Sequence, residues 1–358
     1  MKRIQGRFLF FLACIAHVHA QSSAIAPPPA GKLYHGFYYN RPGSDNYDPT
    51  EHDVTAENVV QYEQAVGKKV TWIYFSHNWF ESPKFPAEMC NRIRASGKVP
   101  YVRLMLRSDV DQNHSEKRFS LQKIIAGEFD VDLQAWAHDA KTFGSPILVE
   151  WGTEPNGNWF SWNGKWNGGA REGLRKYITA YRHIVDLMRA EGADNLQWVW
   201  HVNWYDVPEG KWNALENYFP GKNYCDWVAL SAYGPITPRT NDGIESFRSK
   251  IDEAYQRLTT IAPGKPVIVA EFGCDLHNRH VDAAFWAKSA LDDLFSNRWP
   301  AIIGFCWWNE GWQNDDVKRH DTDMIIVHDP SLTRVFREEF AQHGDKIQEK
   351  PVQMTKHE

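Results

Sequence analysis

Two of the chain's 45 acidic residues, Glu154 and Glu271, stand at the ends of apolar runs. Glu154 opens the segment Glu154-Pro155-Asn156-Gly157-Asn158-Trp159, just after the run Ile147 to Trp151. Glu271 closes the run from Pro266 and is followed by Phe272-Gly273. A lone carboxylate at such a position commonly pairs with a neighbouring arginine. Two that face one cavity are what glycosidic cleavage requires. One must be protonated to deliver a proton to the leaving oxygen, and the other ionised to attack or to activate water. Mutual repulsion and partial burial separate their pKa values into one acid and one base.

The setting of both is aromatic. The chain holds 17 Trp, and an indole offers a flat apolar face with one N–H donor. A pyranose ring presents a matching C–H face edged with hydroxyls. Trp159, Trp162 and Trp166 follow Glu154 in a loop rich in Asn and Gly, Asn156 among them; Trp204 and Tyr205 follow a fifth apolar run. Trp307, Trp308 and Trp312 close an eighth. Trp198, Trp200 and Trp227 read as core, whereas indoles in polar loops read as platforms for sugar rings. His201 and Asn203 read as polar contacts for a sugar hydroxyl or for Glu154, and for His201 a structural role fits equally well.

These residues need a scaffold that brings strand ends together. Short continuous apolar runs predict strands at Tyr34–Tyr39, Val70–Ser76, Val99–Leu104, Ile147–Trp151, Leu196–Val202, Trp227–Ala232, Pro266–Glu271 and Ala301–Trp307, as for parallel strands buried on both faces. Helical spacing predicts helices at 55–66, 86–96, 131–143, 170–190, 244–261, 282–295 and 332–340, with a weak one at 213–218. Eight strands alternating with helices give an α/β fold, a single-domain (β/α)8 TIM barrel, whose active site lies where the strands end. An open doubly wound sheet is the alternative. No G-x-G-x-x-G follows a strand, so a dinucleotide fold has no support.

Residues 1–20 read as an export signal: Lys2, Arg3 and Arg7 precede the apolar run Phe8 to Ala16, and Val18-His19-Ala20 fits a cleavage site. In a second reading, Phe11-Leu12-Ala13-Cys14 resembles a lipoprotein box. Both place the protein in the periplasm or outside the cell. Residues 21–31 are Pro/Ala/Ser-rich and read as an unstructured linker, 32–342 as the catalytic domain and 343–358 as a polar tail that frays. Loss of the first 20 residues takes the formal charge from −5 to −8, which argues against nucleic acid or anionic membrane as a partner. Cys90, Cys225, Cys274 and Cys306 form no C-x-x-C pair; they read as buried hydrophobes or as disulfide partners.

Glu154-Pro155-Asn156-Gly157-Asn158-Trp159-Phe160-Ser161-Trp162 resembles the E-M-N-G-x-W-Y-x-W segment of glycoside hydrolase family 26. Val269-Ala270-Glu271-Phe272-Gly273 is similar to the family's nucleophile strand, and Tyr224 to Gly234 to its sixth strand. The resemblance runs from about Gly36 to Phe340 and implies a metal-free, cofactor-free retaining mechanism on a (β/α)8 barrel. It makes Glu154 the acid/base and Glu271 the nucleophile, with Tyr233 hydrogen-bonding Glu271. It puts Trp159, Trp162 and Trp308 at sugar-binding aromatic positions. Two positions depart from the pattern: Thr153 stands where the family has His, and Glu150 where it commonly has Arg. Glu150 is expected to pair with Arg103.

The reading is an endo-acting β-glycanase whose partner is a polysaccharide or oligosaccharide: mannan, β-glucan or a bacterial exopolysaccharide. No protein partner is evident. The alternative is a polysaccharide-binding protein on the same barrel, against which stands the retention of two costly buried carboxylates. A metal-dependent hydrolase would have to use His277 and His280, the one close His pair near a strand end.

Overall fold

The structure, a computed structural model, describes residues 24–39 and 54–354. Eight parallel strands close a barrel in chain order: β1 Tyr34–Tyr39, β2 Trp72–Asn78, β3 Val99–Met105, β4 Ile147–Trp151, β5 Leu196–Asn203, β6 Trp227–Ser231, β7 Val267–Phe272 and β8 Ile302–Asn309. Helices α1 Ala56–Val66, α2 Ala87–Ala95, α3 Leu121–Ile125, α4 Asp130–Phe143, α5 Gly169–Ala190, α6 Phe247–Ile261, α7 Ala283–Phe295 and α8 Pro330–Gln342 run between and after them. This is the expected (β/α)8 barrel. Between β5 and β6 stand only the short 3-10 turns Lys211–Asn213 and Leu215–Tyr218.

Local chemistry accounts for the helices. Thr55 caps α1 reciprocally with Asn58, and Ser246, Asp282 and Asp329 cap α6, α7 and α8 with their side chains. Helix α5 turns Tyr177, Ala180, Tyr181, Ile184, Val185 and Met188 inward at three- and four-residue spacing.

The barrel is filled with aromatic rings. The Trp72 ring lies so close to β1 and β8 that a Cβ on Gly36 would sit 2.0 Å from its Nε1, and one on Gly304 2.5 Å from its Cη2. Tyr34 stacks parallel to Trp227 nearby. Two residues further along β2, Tyr74 faces the same interior and meets Tyr101 of β3, its partner in register.

The described parts of the two terminal stretches, 24–31 and 343–354, depart from the expectation of a structureless linker and a frayed tail. Ile25–Ala26 pairs antiparallel with Val352–Gln353. Ile25 is fully buried, and its peptide group is held by the Gln197 amide at 2.7 and 3.0 Å. The pairing meets the backbone's hydrogen-bonding needs despite the polar, Pro-rich sequence. The export signal and Cys14 lie outside the described residues. No described helix is long and apolar enough to cross a membrane.

Candidate active site

Two local irregularities aim the two glutamates. Past β4, Gly152 has φ +64° and Glu154 φ +46°, so the chain turns sharply out of the strand. Left-handed backbone is strained for a glutamate, and such strain collects at functional sites. The Glu154 N–H donates to the His201 carbonyl at 2.8 Å, and its own carbonyl accepts from Gly157 at 2.9 Å. In β7, Leu230 pairs with Val269 but Ser231 with Glu271, so Ala270 is an extra residue and the strand bulges. The register against β8 slips over the same stretch. A bulge re-aims the side chain beside it, here Glu271.

Glu271 is enclosed by donors. The Tyr233 hydroxyl donates to its Oε2 at 2.8 Å, the Arg103 guanidinium lies 3.3 Å from its Oε1, and the Tyr74 hydroxyl lies 3.1 Å from the same atom. Burial nevertheless pushes the Glu271 carboxyl up to about 7; the charge of Glu154 adds to this, while His201 and Arg103 oppose it. The Trp159 indole donates to Glu154 Oε2 at 2.7 Å.

Trp308 forms an aromatic wall. It stacks on Tyr38 with ring centroids 3.4 Å apart, meets Tyr74 and Tyr233 edge-on, and has the Arg103 guanidinium 5.2 Å from its ring. Trp204 is half-buried, beside Tyr205, with Lys250 Nζ 4.9 Å from its ring.

Other residues expected at the sugar hold the site together instead. Asn156 is fully buried: its amide nitrogen donates to Asn203 O, Tyr205 O and Asp206 Oδ1, and its oxygen accepts from Asn203 N. Asn203 turns its own amide to Tyr205 O. Trp162 is buried, stacked on Phe160 with its N–H on Thr153 O at 2.7 Å. A loop indole becomes core here because its one polar atom is satisfied. His201 points into the barrel, with Nδ1 2.9 Å from Thr153 Oγ1 and 3.0 Å from Glu150 Oε2, and Nε2 2.8 Å from Ser231 Oγ.

Glu150 does not meet its expectation either. It takes the hydroxyls of Tyr74 at 2.6 Å and Tyr101 at 2.5 Å together with His201, and the Arg103 guanidinium reaches Glu271. Tyr74, Tyr101 and Ser231 were not singled out from the sequence. The available signal was polar residues at period two in otherwise apolar strands, Tyr74/Ser76 and Tyr101/Arg103, which mark a polar barrel interior. The four described cysteines are free and buried.

Comparison with known proteins gives a concordant result. The family model of glycosyl hydrolase family 26 matches residues 105–301. Endoglucanase H of Acetivibrio thermocellus is 30% identical over 281 residues, 78% of this chain and 28% of that protein. Mannan endo-1,4-beta-mannosidase of Bacillus subtilis is 25% identical over 237 residues, 64% of this chain and 56% of that one. The chain thus spans between about a quarter and a half of these relatives. Among solved structures, a GH26 beta-mannanase from Bacteroides ovatus shares the fold with a TM-score of 0.60 at 14% identity, over 92% of this chain and 94% of that one.

Proposed function

The chain belongs to glycosyl hydrolase family 26, and on that footing we propose that it cleaves a β-linked polysaccharide within the chain by double displacement. One observation carries the reading: two electrostatically coupled glutamates at the barrel mouth, Glu271 ringed by Tyr233 and Arg103, Glu154 held by Trp159. Glu154 Oε1 delivers its proton to the departing oxygen as Glu271 attacks the anomeric carbon. A glycosyl-enzyme forms, and Glu154, now ionised, takes a proton from the water that releases the sugar. Tyr233 and Arg103 hold the nucleophile oriented and charged. Trp308 and the half-buried Trp159 and Trp204 are ring-stacking surfaces for the sugar.

The favoured substrate is a β-glucan. The likeness to Endoglucanase H is higher and covers more of the chain than that to the mannosidase, and Thr153 and Glu150 break the pattern typical of mannan cleavage. We further place the protein outside the cytoplasm, on residues 1–20 alone.

The test is reducing-end release from β-1,4-glucan, mixed-linkage glucan, β-mannan, β-xylan and bacterial exopolysaccharide by the wild type, Glu154→Ala and Glu271→Ala. Activity on a glucan, lost in both variants and partly restored by azide in Glu271→Ala, is the expected result. Activity that survives either substitution removes that glutamate from its role. A wild type that binds a polymer without cleaving it is a binding protein.

A further inference from the structure

Glu150 and His201 form a buried ion pair that the reaction itself does not use. Both side chains are wholly inaccessible, and Nδ1 and Oε2 stand 3.0 Å apart. Three donors converge on Glu150, from Tyr74 of β2, Tyr101 of β3 and His201 of β5. Both ring nitrogens of His201 have oxygen partners, Glu150 and Thr153 on one side and Ser231 of β6 on the other. The His201 carbonyl holds the Glu154 N–H. The pair therefore touches the backbone of one reacting glutamate and, through Tyr74, the carboxyl of the other.

Removing one partner of a buried ion pair leaves an uncompensated charge at high cost. Among the described residues, the charged groups that act on this pair and on Glu271 include Glu154 beside β4, Glu271 on β7 and Arg103 on β3, with the phenols of Tyr74, Tyr101, Tyr233 and Tyr177 of α5 beside them. With Glu150 and His201 cancelling, the Arg103 guanidinium, 3.3 Å from Glu271 Oε1, faces the reacting glutamates. Were His201 neutral, Glu150 would be a second anion facing the nucleophile.

We propose that Glu150 is a positioning residue: it holds His201 as a buried imidazolium and cancels that charge, so that the catalytic glutamates, balanced by Arg103, keep a single proton. The proposal rests on the hydrolase reading above. Burial is the largest single influence and opposes the charge on each partner, yet it is outweighed in sum: Glu150, with Glu271 and Glu154, holds His201 above the usual histidine range, and His201, with the Tyr101 and Tyr74 hydroxyls, holds Glu150 below the usual carboxylate range. Tyr74 joins the two halves, because its hydroxyl oxygen lies 2.6 Å from Oε1 of Glu150 and 3.1 Å from Oε1 of Glu271.

The first test is the imidazole nitrogen NMR spectrum at pH 7.5, with the His201 signals assigned by their loss in His201→Asn. Two protonated ring nitrogens are expected in the wild type, and a neutral ring in Glu150→Gln. A neutral ring in the wild type, or a charged one in Glu150→Gln, overturns the proposal. The second is the pH profile of kcat/KM. His201→Asn leaves Glu150 as an uncompensated anion, so the acidic limb moves to higher pH by about one unit, roughly a tenfold loss below it. Adding Glu150→Gln to that variant brings the limb back toward its wild-type position. Losses that merely add, with the limb unmoved, mean packing alone and sink the idea. If Glu150→Gln does not fold by itself, the wild-type spectrum and the double variant still decide. A wild type with no hydrolytic activity refutes the function, while the spectrum still reports separately on the pair.

Discussion

The cost of holding the nucleophile ready is visible at Glu271. Its carboxyl is raised from 4.5 to about 7, so the fold favours its protonated form. That stability is fully present below 4.5 and is lost as pH rises through about 7. Glu271→Gln should therefore unfold at a higher temperature than the wild type at pH 8, and the gap should close toward pH 4.5. Melting curves of both proteins across that range check it; a constant gap would refute the linkage. Tyr233→Phe removes the 2.8 Å donor to Glu271 Oε2. Loss of that hydrogen bond to the ionised form shifts the acidic limb of kcat/KM upward and lowers kcat/KM by about 10- to 100-fold at neutral pH. Trp159→Phe removes the donor to Glu154 and should slow substrates with poor leaving groups, while leaving activated aryl glycosides nearly untouched. Comparing the two substrate classes tests this.

Among the elements, the turn leaving β4 bears most directly on the site. A Cβ on Gly152 would come within 2.7 Å of the Tyr177 ring, at a φ that already disfavours a side chain. Gly152→Ala should cost about 2–4 kcal/mol in denaturant unfolding and lower kcat more than it raises KM. Asn156→Ala, which strips four hydrogen bonds from the loops past β4 and β5, should cost about 2–4 kcal/mol by the same measurement. The barrel was legible because parallel strands covered on both faces read as unbroken apolar runs, and all eight were found. Where bounds slipped, polarity misled: β2 continues through His77 and Asn78 and β8 through Asn309, all buried at the mouth. Glu154 and Glu271 were legible as strand-end residues, and Tyr233 only through the family resemblance. The partners of Glu150 were not, since Tyr74, Tyr101 and His201 lie 49 to 76 residues away and meet it only across the closed barrel. Trp162 and Asn156 misled for a related reason: a polar loop can bury its members when it supplies their hydrogen bonds itself.

At the scale of the whole molecule, the described chain is held by packing without covalent cross-links. Cys90, Cys225, Cys274 and Cys306 are free thiols in the interior, and burial pushes the Cys225 and Cys274 thiols up to about 12, so they are poor nucleophiles. Thermal unfolding should be unchanged, within about a degree, by millimolar reductant; a clear fall would reveal a disulfide. The antiparallel pairing of residues 25–26 with 352–353 has a geometric consequence. It lies by Gln197 at the start of β5, and Val352 N donates to the hydroxyl of Tyr34 at the start of β1, at the barrel end remote from Glu154 and Glu271. Chain entry and exit therefore share one small patch on the blind end. A surface or module attached through either end would grip the barrel from behind, leaving the mouth free to sweep an insoluble polymer. The same closeness suits the described barrel to circular permutation, in which a short link joins residues 25 and 353 and new ends open elsewhere.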